Sequence, residues 1–382
     1  MTVLAPLPVP AGKAVLEVLP QLEKALNGEA SWLPVPAHDR HEAQRLTDTL
    51  RPGEAIHPTA SLVVATSGTT GVPKGAMLSA AALHASIAAT YQRIGGPGKW
   101  VLALPAHHIA GLQVLLRSLV AGTTPAVIDV TAGFEPQVFA AVTAHAARAD
   151  APLYTSLVPG QLGKTLENEA SAEALLAYRA VLIGGAALPE AVRERANSLG
   201  VRITRTYGMS ETCGGCVYDG VPLDGARVRI DDGRVILGGP MLASGYRNFP
   251  DHPAFAEAGW FRTDDAGSVA DGVLTVRGRL DEAISSGGLT VVPQVVEAVL
   301  AALPGVRECA VFGLPDARLG ERVAAALVTA EPGSLSLADV RETVADQLGR
   351  AAAPRELFIV DALPLLPSGK VDRAALRMSL GN

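Results

Sequence analysis

Short apolar runs alternate with longer stretches of helical spacing through the middle of this 382-residue chain. Ser61-Leu62-Val63-Val64-Ala65 reads as a buried strand, and Trp100–Leu104, Pro125–Val130 and Ala180–Ile183 repeat the signal. Between them Ser79–Tyr91 and Glu135–Ala147 read as Ala-rich helices. This alternation, from residue 61 to about 240, predicts an α/β sheet with helices on its faces. From Arg227 to Val276 the pattern changes to short strands and turns, at Val228–Ile230, Arg234–Leu237 and Val273–Val276, as in a small β subdomain. Gly278-Arg279-Leu280-Asp281 marks a boundary. Beyond it, Pro293–Ala302 and Leu337–Leu348 read as helices and Val306–Phe312 and Ala324–Val328 as strands, which predicts a compact α+β domain. Residues 1–60 are Pro- and Ala-rich, and only a helix over Lys13–Leu26 is predicted there.

Composition narrows the class. With 48% hydrophobic and 18% charged residues the chain reads as a globular enzyme, not a disordered one. A net charge of −6 without a basic stripe argues against nucleic acid as a partner. No apolar run reaches the roughly 18–20 residues of a membrane span, so no membrane partner is expected. The N-terminus lacks a basic region followed by an apolar core, and the cytoplasm is the expected location. The three cysteines do not form a disulfide framework. Cys213-Gly-Gly-Cys216 stands without a second ligand pair, so it reads as two small residues lining a pocket. Only six of the 32 basic residues are lysines, and two of these, Lys74 and Lys370, sit in glycine-bearing motifs. In a chain that mostly uses Arg, a Lys there points to a compact ammonium.

The most chemical stretch is Thr66-Ser67-Gly68-Thr69-Thr70-Gly71-Val72-Pro73-Lys74-Gly75, directly after the first buried strand. Glycines free the backbone to curl, and hydroxyls, backbone N–H groups and one ammonium face a polyphosphate. It is not a Walker A loop, since no Gly-Lys-Ser/Thr occurs at the required spacing. Ser-Gly-Thr-Thr-Gly-x-Pro-Lys-Gly resembles the phosphate loop of the adenylate-forming ligases: acyl-CoA synthetases, adenylation domains and luciferases.

Further motifs in order carry the same resemblance over roughly residues 61–375. Leu104-Pro105-Ala106-His107-His108-Ile109-Ala110-Gly111 resembles the His-bearing segment at the acyl pocket, with His108 in the family position. Ser156–Leu162 resembles the strand-to-helix turn that follows, and Ser156 is counted with the substrate residues. Gly184-Gly185-Ala186 is where the family lays adenine against backbone. In Tyr207-Gly208-Met209-Ser210-Glu211-Thr212 the ring can stack on adenine, Ser210 can donate to a phosphate oxygen and Glu211 can hold Mg²⁺. Trp260–Asp265 resembles Tyr-Arg-Thr-Gly-Asp, so Asp265 meets the ribose hydroxyls. Asp264 stands where the family has Gly, and a different local turn is expected. Arg279 also meets the ribose, and Asp281 is the hinge of the C-terminal domain. Ser285-Ser286-Gly287-Gly288 resembles the loop lining the pantetheine tunnel, although Thr290 replaces an Arg common in relatives. Leu363–Arg373 resembles the C-terminal signature that presents the catalytic lysine, here Lys370.

The resemblance implies an adenylate-forming fold. A large N-terminal α/β core with a β subdomain spans 1–277, a hinge 278–281, and a small mobile α+β domain 282–382. It implies ATP, Mg²⁺ and CoA as cofactor and cosubstrates, with Lys370, His108 and Ser210 as catalytic residues. The chain is short for the family, and the shortening lies before the phosphate loop. Short members of this type resemble o-succinylbenzoate–CoA ligases of menaquinone biosynthesis. Arg117, six residues past Gly111, lies where those ligases carry a basic residue facing the substrate's second carboxylate. Two alternatives stay open: a ligase for another small aryl or aliphatic acid, loading CoA or a carrier protein, and a nucleotide-binding regulator without catalysis. A homodimer also stays open.

Overall fold

A computed structural model describes residues 2–66, 72–330, 335–365 and 371–381. The loop residues Ser67, Gly68, Thr69, Thr70 and Gly71, and Lys370, lie outside the described residues.

The first sixty residues hold more order than their composition suggests. Strands β1 (Leu4–Val9) and β2 (Ser31–Pro36) run parallel and join β3 (Ala60–Thr66) and β4 (Lys74–Ser79) in a four-stranded sheet. The expected helix over Lys13–Leu26 divides into a 3-10 turn, Gly12–Val18, and helix α1 (Leu19–Leu26). Pro20 sits in the first turn of α1, where its missing N–H costs nothing. Helix α2 (Arg40–Leu50) starts at Asp39, whose carboxylate accepts from the Glu42 N–H at 2.9 Å.

The second sheet holds β5 (Lys99–Leu102), β6 (Ala126–Val127), β7 (Leu153–Leu157), β8 (Ala180–Ile183), β9 (Ile203–Met209), β10 (Gly214–Tyr218) and β11 (Val221–Pro222). Their order is β11-β10-β9-β8-β7-β5-β6. The β6, β5, β7, β8 and β9 pairings are all parallel. Helices α3 (Ala80–Ile94), α4 (Ile109–Val120), α5 (Pro136–Ala146), α6 (Pro159–Glu167), α7 (Glu169–Leu175) and α8 (Glu190–Ser198) connect the strands or cover them. Helix α3 opens on Ser79, whose hydroxyl accepts from the Ala82 N–H, and closes on Gly95. Helix α4 is apolar around most of its surface and is buried accordingly, with Leu112, Val114, Leu115 and Leu116 fully enclosed.

Strands β12 (Arg227–Asp231), β13 (Arg234–Gly238), β14 (Trp260–Ala270) and β15 (Val273–Arg279) follow in sequence order in a third sheet. A last sheet carries β16 (Ile284–Ser286), β17 (Leu289–Val291), β18 (Val306–Asp316), β19 (Gly320–Thr329) and β20 (Glu356–Ile359), with helices α9 (Pro293–Ala301), α10 (Leu337–Leu348) and α11 (Arg373–Leu380). Helix α10 has a capping box in which Ser336 and Asp339 serve each other's backbone N–H groups.

The chain forms two compact units. One comprises Met1–Arg229, Ile236–Arg262 and Ala270–Leu274; the other Ile230–Val235, Thr263–Val269 and Thr275–Asn382. The first unit has its largest core around Leu62, Leu83, Trp100, Leu115 and Tyr154. The second packs Val296, Leu300, Val311, Leu327, Val340 and Val344 together. Among the described residues, no helix is long and apolar enough to cross a membrane.

Candidate active site

In a parallel sheet, functional groups collect where the strands end, because the loops leave there. In the first unit the strand order turns back between β5 and β7, since β6 lies on the outer side of β5 and the chain then crosses to β7. That is the switch point at which such sheets open a crevice. Four of the sequence motifs sit at the carboxyl ends of these strands or on the hairpin beyond them. His107 and His108 follow β5, Ser156 ends β7, Gly184-Gly185-Ala186 follow β8, and Tyr207-Gly208 end β9. Ser210 and Glu211 occupy the turn from β9 into β10.

Local chemistry explains each placement. The Gln161 side chain accepts from the Val158 N–H and donates to the Ala103 carbonyl at 2.8 Å, fastening the β7–α6 turn to the end of β5. Gly184 has no room for a side chain, since a Cβ would meet the Thr206 hydroxyl at 2.4 Å. Gly185 and Ala186 are exposed, which leaves a short bare platform. Ser210–Thr212 form one 3-10 turn, in which the Thr212 hydroxyl accepts from the Met209 N–H and donates to the Gly214 carbonyl. Cys213 then takes a left-handed conformation, φ +53°. Its carbonyl accepts from Gln113 Nε2 at 2.6 Å and Ser86 Oγ at 3.1 Å. Burial pushes the Cys216 thiol up to about 12 and the Cys213 thiol higher still, so both stay protonated and serve packing.

His108 is exposed as a whole residue, yet burial around its imidazole holds it below the usual histidine range, against the opposing charge of Glu42. His107 stands 4.1 Å from it, centroid to centroid, and 6.1 Å from His38. Burial, with the charges of His108 and His38 adding to it, lowers His107 to about 3. Both rings are therefore neutral at pH 7, and they stand at the N-terminus of α4.

Arg117 lies on α4, roughly two and a half turns below His108. It is 3% exposed, with its guanidinium 5.1 Å from the Trp100 ring centroid. Nη2 reaches the Thr90 hydroxyl at 3.4 Å, a long contact, and Nε has no partner. No carboxylate among the described residues pairs with it. One turn above, Gln113 Oε1 is also buried without a partner.

Thr66 and Lys74 face each other in the antiparallel pairing of β3 and β4. Lys74 Nζ lies 3.1 Å from His252 Nε2 and 5.3 Å from the centroid of Tyr246. Glu211, 6% exposed, accepts from the Tyr246 hydroxyl at 2.6 Å. Tyr246, Asn248 and His252 escaped the sequence reading. Gly245–His252 has the Gly, Asn, Pro and Asp content of a plain loop, and only the aromatic between Gly245 and Arg247 hinted at more.

The second unit gathers its own cluster. Asp265, 7% exposed, lies on β14, which runs as one continuous strand through Asp264 in place of a turn. Asp264 pairs instead with Arg234 at 3.0 Å. Arg279 grips Asp281 with two bonds, 2.8 and 2.6 Å, and reaches Asp265 at 3.4 Å. Burial opposes the charge on Arg279, but Asp281, Asp265 and Asp264 more than offset it and raise the guanidinium above its ordinary value. Gly287 and Gly288, φ +61° and +80°, form the two-residue turn of the β16–β17 hairpin, a turn that needs positive φ at both positions.

Two family models match this chain: the AMP-binding enzyme family over residues 7–246 and the AMP-binding enzyme C-terminal domain over residues 295–370. The chain belongs to the AMP-binding enzyme family. Within the family it is 52% identical over 375 residues to a Mycobacterium tuberculosis protein named "Probable 2-succinylbenzoate--CoA ligase", with 96% of each chain covered. The fold matches ATP-bound MatB from Rhodopseudomonas palustris with a TM-score of 0.84 at 23% identity, covering 99% of this chain and 88% of that one. It also matches o-succinylbenzoate CoA synthetase (MenE) from Bacillus subtilis in complex with the intermediate OSB-AMP. That match has a TM-score of 0.73 at 25% identity and covers 94% of this chain and 80% of that one. The α/β fold is thus that of the adenylate-forming enzymes.

Proposed function

We propose that this protein is an ATP-dependent acid–CoA ligase that forms o-succinylbenzoyl-CoA through an acyl-adenylate, as a step of menaquinone biosynthesis. The single observation that carries the choice of acid is Arg117, a buried cation with no carboxylate paired to it among the described residues. An unpaired buried guanidinium is costly, and a dicarboxylic substrate would supply the missing anion. The name of the 52% identical relative supports the same choice. A monocarboxylic acid would leave Arg117 unpaired.

In the first half-reaction a carboxylate oxygen of the acid attacks the α-phosphorus of ATP and pyrophosphate leaves. Negative charge builds on phosphoryl oxygens, so the protein's task is positioning and electrostatic stabilisation. Thr66–Gly71 and Lys74 are assigned to the β- and γ-phosphates, Gly184–Ala186 and Tyr207–Gly208 to adenine, Asp265 and Arg279 to the ribose, and Ser210 to a phosphate oxygen. Lys370 is assigned to bridge carboxylate and α-phosphate, while His108 and Ser156 face the acid. In the second half-reaction the CoA thiolate attacks the acyl carbon and AMP leaves, with Gly287-Gly288 lining the pantetheine path and Asp281 as the hinge between the two steps.

Among the described residues no group of three or more His, Cys, Asp or Glu side chains could hold a metal. The buried Glu211 carboxylate fits Mg²⁺, which takes one or two protein oxygens and completes its shell with phosphates and water. Bound there, the ion would neutralise phosphate charge. The use of ATP and CoA supports a cytoplasmic location.

The test is CoA- and ATP-dependent AMP release with o-succinylbenzoate, benzoate, a medium-chain fatty acid and acetate. The expected result is a strong preference for o-succinylbenzoate. Arg117→Gln lowers kcat/KM for it about 100-fold, the scale of a lost buried charge contact, with little change for benzoate. A preference for a monocarboxylate would sink both the pathway and the role of Arg117. ATP–pyrophosphate exchange with no AMP release on adding CoA would point to a carrier protein as acceptor.

A further inference from the structure

The segment Ala243–Asn248 fastens two parts of the first unit that the sequence keeps far apart. On one side it grips β4 as that strand leaves the phosphate-loop hairpin. The Met77 N–H donates to Gly245 O at 3.0 Å, the Ser244 N–H to Met77 O at 3.0 Å, and the Arg247 N–H to Gly75 O at 2.8 Å. The Asn248 amide accepts from the Gly75 N–H at 3.1 Å and donates to Pro73 O at 2.9 Å. On the other side it takes hold of the acidic turn, through the Ala243 N–H donating to Glu211 O at 2.8 Å. Between these anchors lies Tyr246, 3% exposed, packed edge-on against His252 and Phe255.

Tyr246 touches two opposite charges at once. Its hydroxyl donates to Glu211 Oε1 at 2.6 Å, and its ring lies 5.3 Å from Lys74 Nζ. No ion pair joins Lys74 to Glu211, although one aromatic side chain contacts both. The ring holds the ammonium by its quadrupole and adds no negative charge. The hydroxyl fixes the plane of a carboxylate whose terminal torsion is otherwise broad. A direct Lys74–Glu211 pair would spend both charges on each other.

We propose that Tyr246 is a positioning residue. It keeps the phosphate-side ammonium and the metal-side carboxylate apart and oriented, so that each meets its part of MgATP. The proposal rests on the assignment of Glu211 to the metal and Lys74 to the phosphates, and not on which acid is the substrate.

Calorimetric titration of the whole protein with ATP, with and without Mg²⁺ and with no acid present, tests it. In Tyr246→Phe the ring remains and only the hydroxyl goes. The Mg²⁺ concentration for half-maximal tightening of ATP binding should rise about tenfold, the low end for a hydrogen bond to a charged group. Mg²⁺-free ATP binding should stay unchanged. Tyr246→Leu should weaken Mg²⁺-free binding as well, and the Phe variant rescues that loss. Thermal melts identify any variant that fails to fold. Glu211→Gln supplies the second arm: it should abolish the Mg²⁺ effect, and adding Tyr246→Phe should change nothing further. If Tyr246→Phe alters both titrations equally, or neither, Tyr246 is only a packing residue and the proposal falls. A further loss in the double variant would also overturn it. If Glu211→Gln keeps the full Mg²⁺ effect, the assignment of Glu211 fails, and this proposal with it.

Discussion

His107 shows how one half-buried side chain ties stability to pH. Its ring is held at about 3 in the folded chain, chiefly by burial, whereas an unfolded histidine titrates near 6.5. Above about pH 6.5 neither state binds the proton, and the folded state keeps its full stability. As pH falls below that value the unfolded chain takes up the proton first, so stability declines down to the folded value near 3. The slope for one such group is at most about 1.4 kcal/mol per pH unit. Between pH 7 and 5 the parent protein should lose up to about 2 kcal/mol more than His107→Gln. Urea midpoints at the two pH values measure this, and the other histidines cancel in the comparison. Identical pH dependence in both proteins would show that His107 is protonated freely in the fold.

The hairpin of β9 and β10 carries the acidic turn, and a single glycine sets how closely its strands approach. A Cβ on Gly208 would stand 2.1 Å from Gly214 O and 2.7 Å from Gly215 Cα, backbone on both counts. Gly208→Ala should cost about 1–3 kcal/mol and lower ATP–pyrophosphate exchange, because the displaced turn holds Ser210 and Glu211. Gly163 provides the contrast: it lies in α6, and nothing stands within 4 Å of its Cβ direction. Gly163→Ala should raise the melting temperature, by up to about 1 kcal/mol of helix propensity. If both variants melt alike, close strand approach is not what Gly208 provides. At this scale the sequence was legible where the apolar pattern was regular, either an unbroken run or a helical spacing. Ala180–Ile183 and Leu337–Leu348 form as expected. It was opaque where proline broke the periodicity: β2, Ser-Trp-Leu-Pro-Val-Pro, is a strand with two prolines, and β1 carries two more. The expected strand Pro125–Val130 shrinks to Ala126–Val127, at the sheet edge where fewer backbone groups find partners. The site was legible as motifs, because glycine spacing and charged residues stand out locally. Tyr246 and Gln113 were not, because their roles come from partners 35 and 100 residues away.

The molecule as a whole divides its chemical groups between two compact units, and the half-reactions can be separated along that division. The motifs from Thr66 to Glu211, assigned to the nucleotide by proposal, belong to the first unit, while Asp265, Arg279, Asp281, the Gly287-Gly288 turn and Lys370 belong to the second. In the proposed mechanism the second unit supplies a different element to each step: Lys370 for adenylation, the hairpin turn for thioester formation. Lys370→Ala should lower adenylation, read as ATP–pyrophosphate exchange, by about 100-fold or more, the scale of one lost donor to developing charge. Thioester formation from preformed acyl-AMP should remain within about twofold, because that step uses no contact made by the lysine. Gly288→Val should give the converse. Its φ of +80° strains a β-branched residue, so the turn distorts and the CoA step falls while exchange persists. This crossed pattern requires one unit to serve two steps with two elements. Equal loss of both half-reactions in either variant would mean that the second unit acts in a single arrangement, and the hinge at Asp281 would lose its purpose.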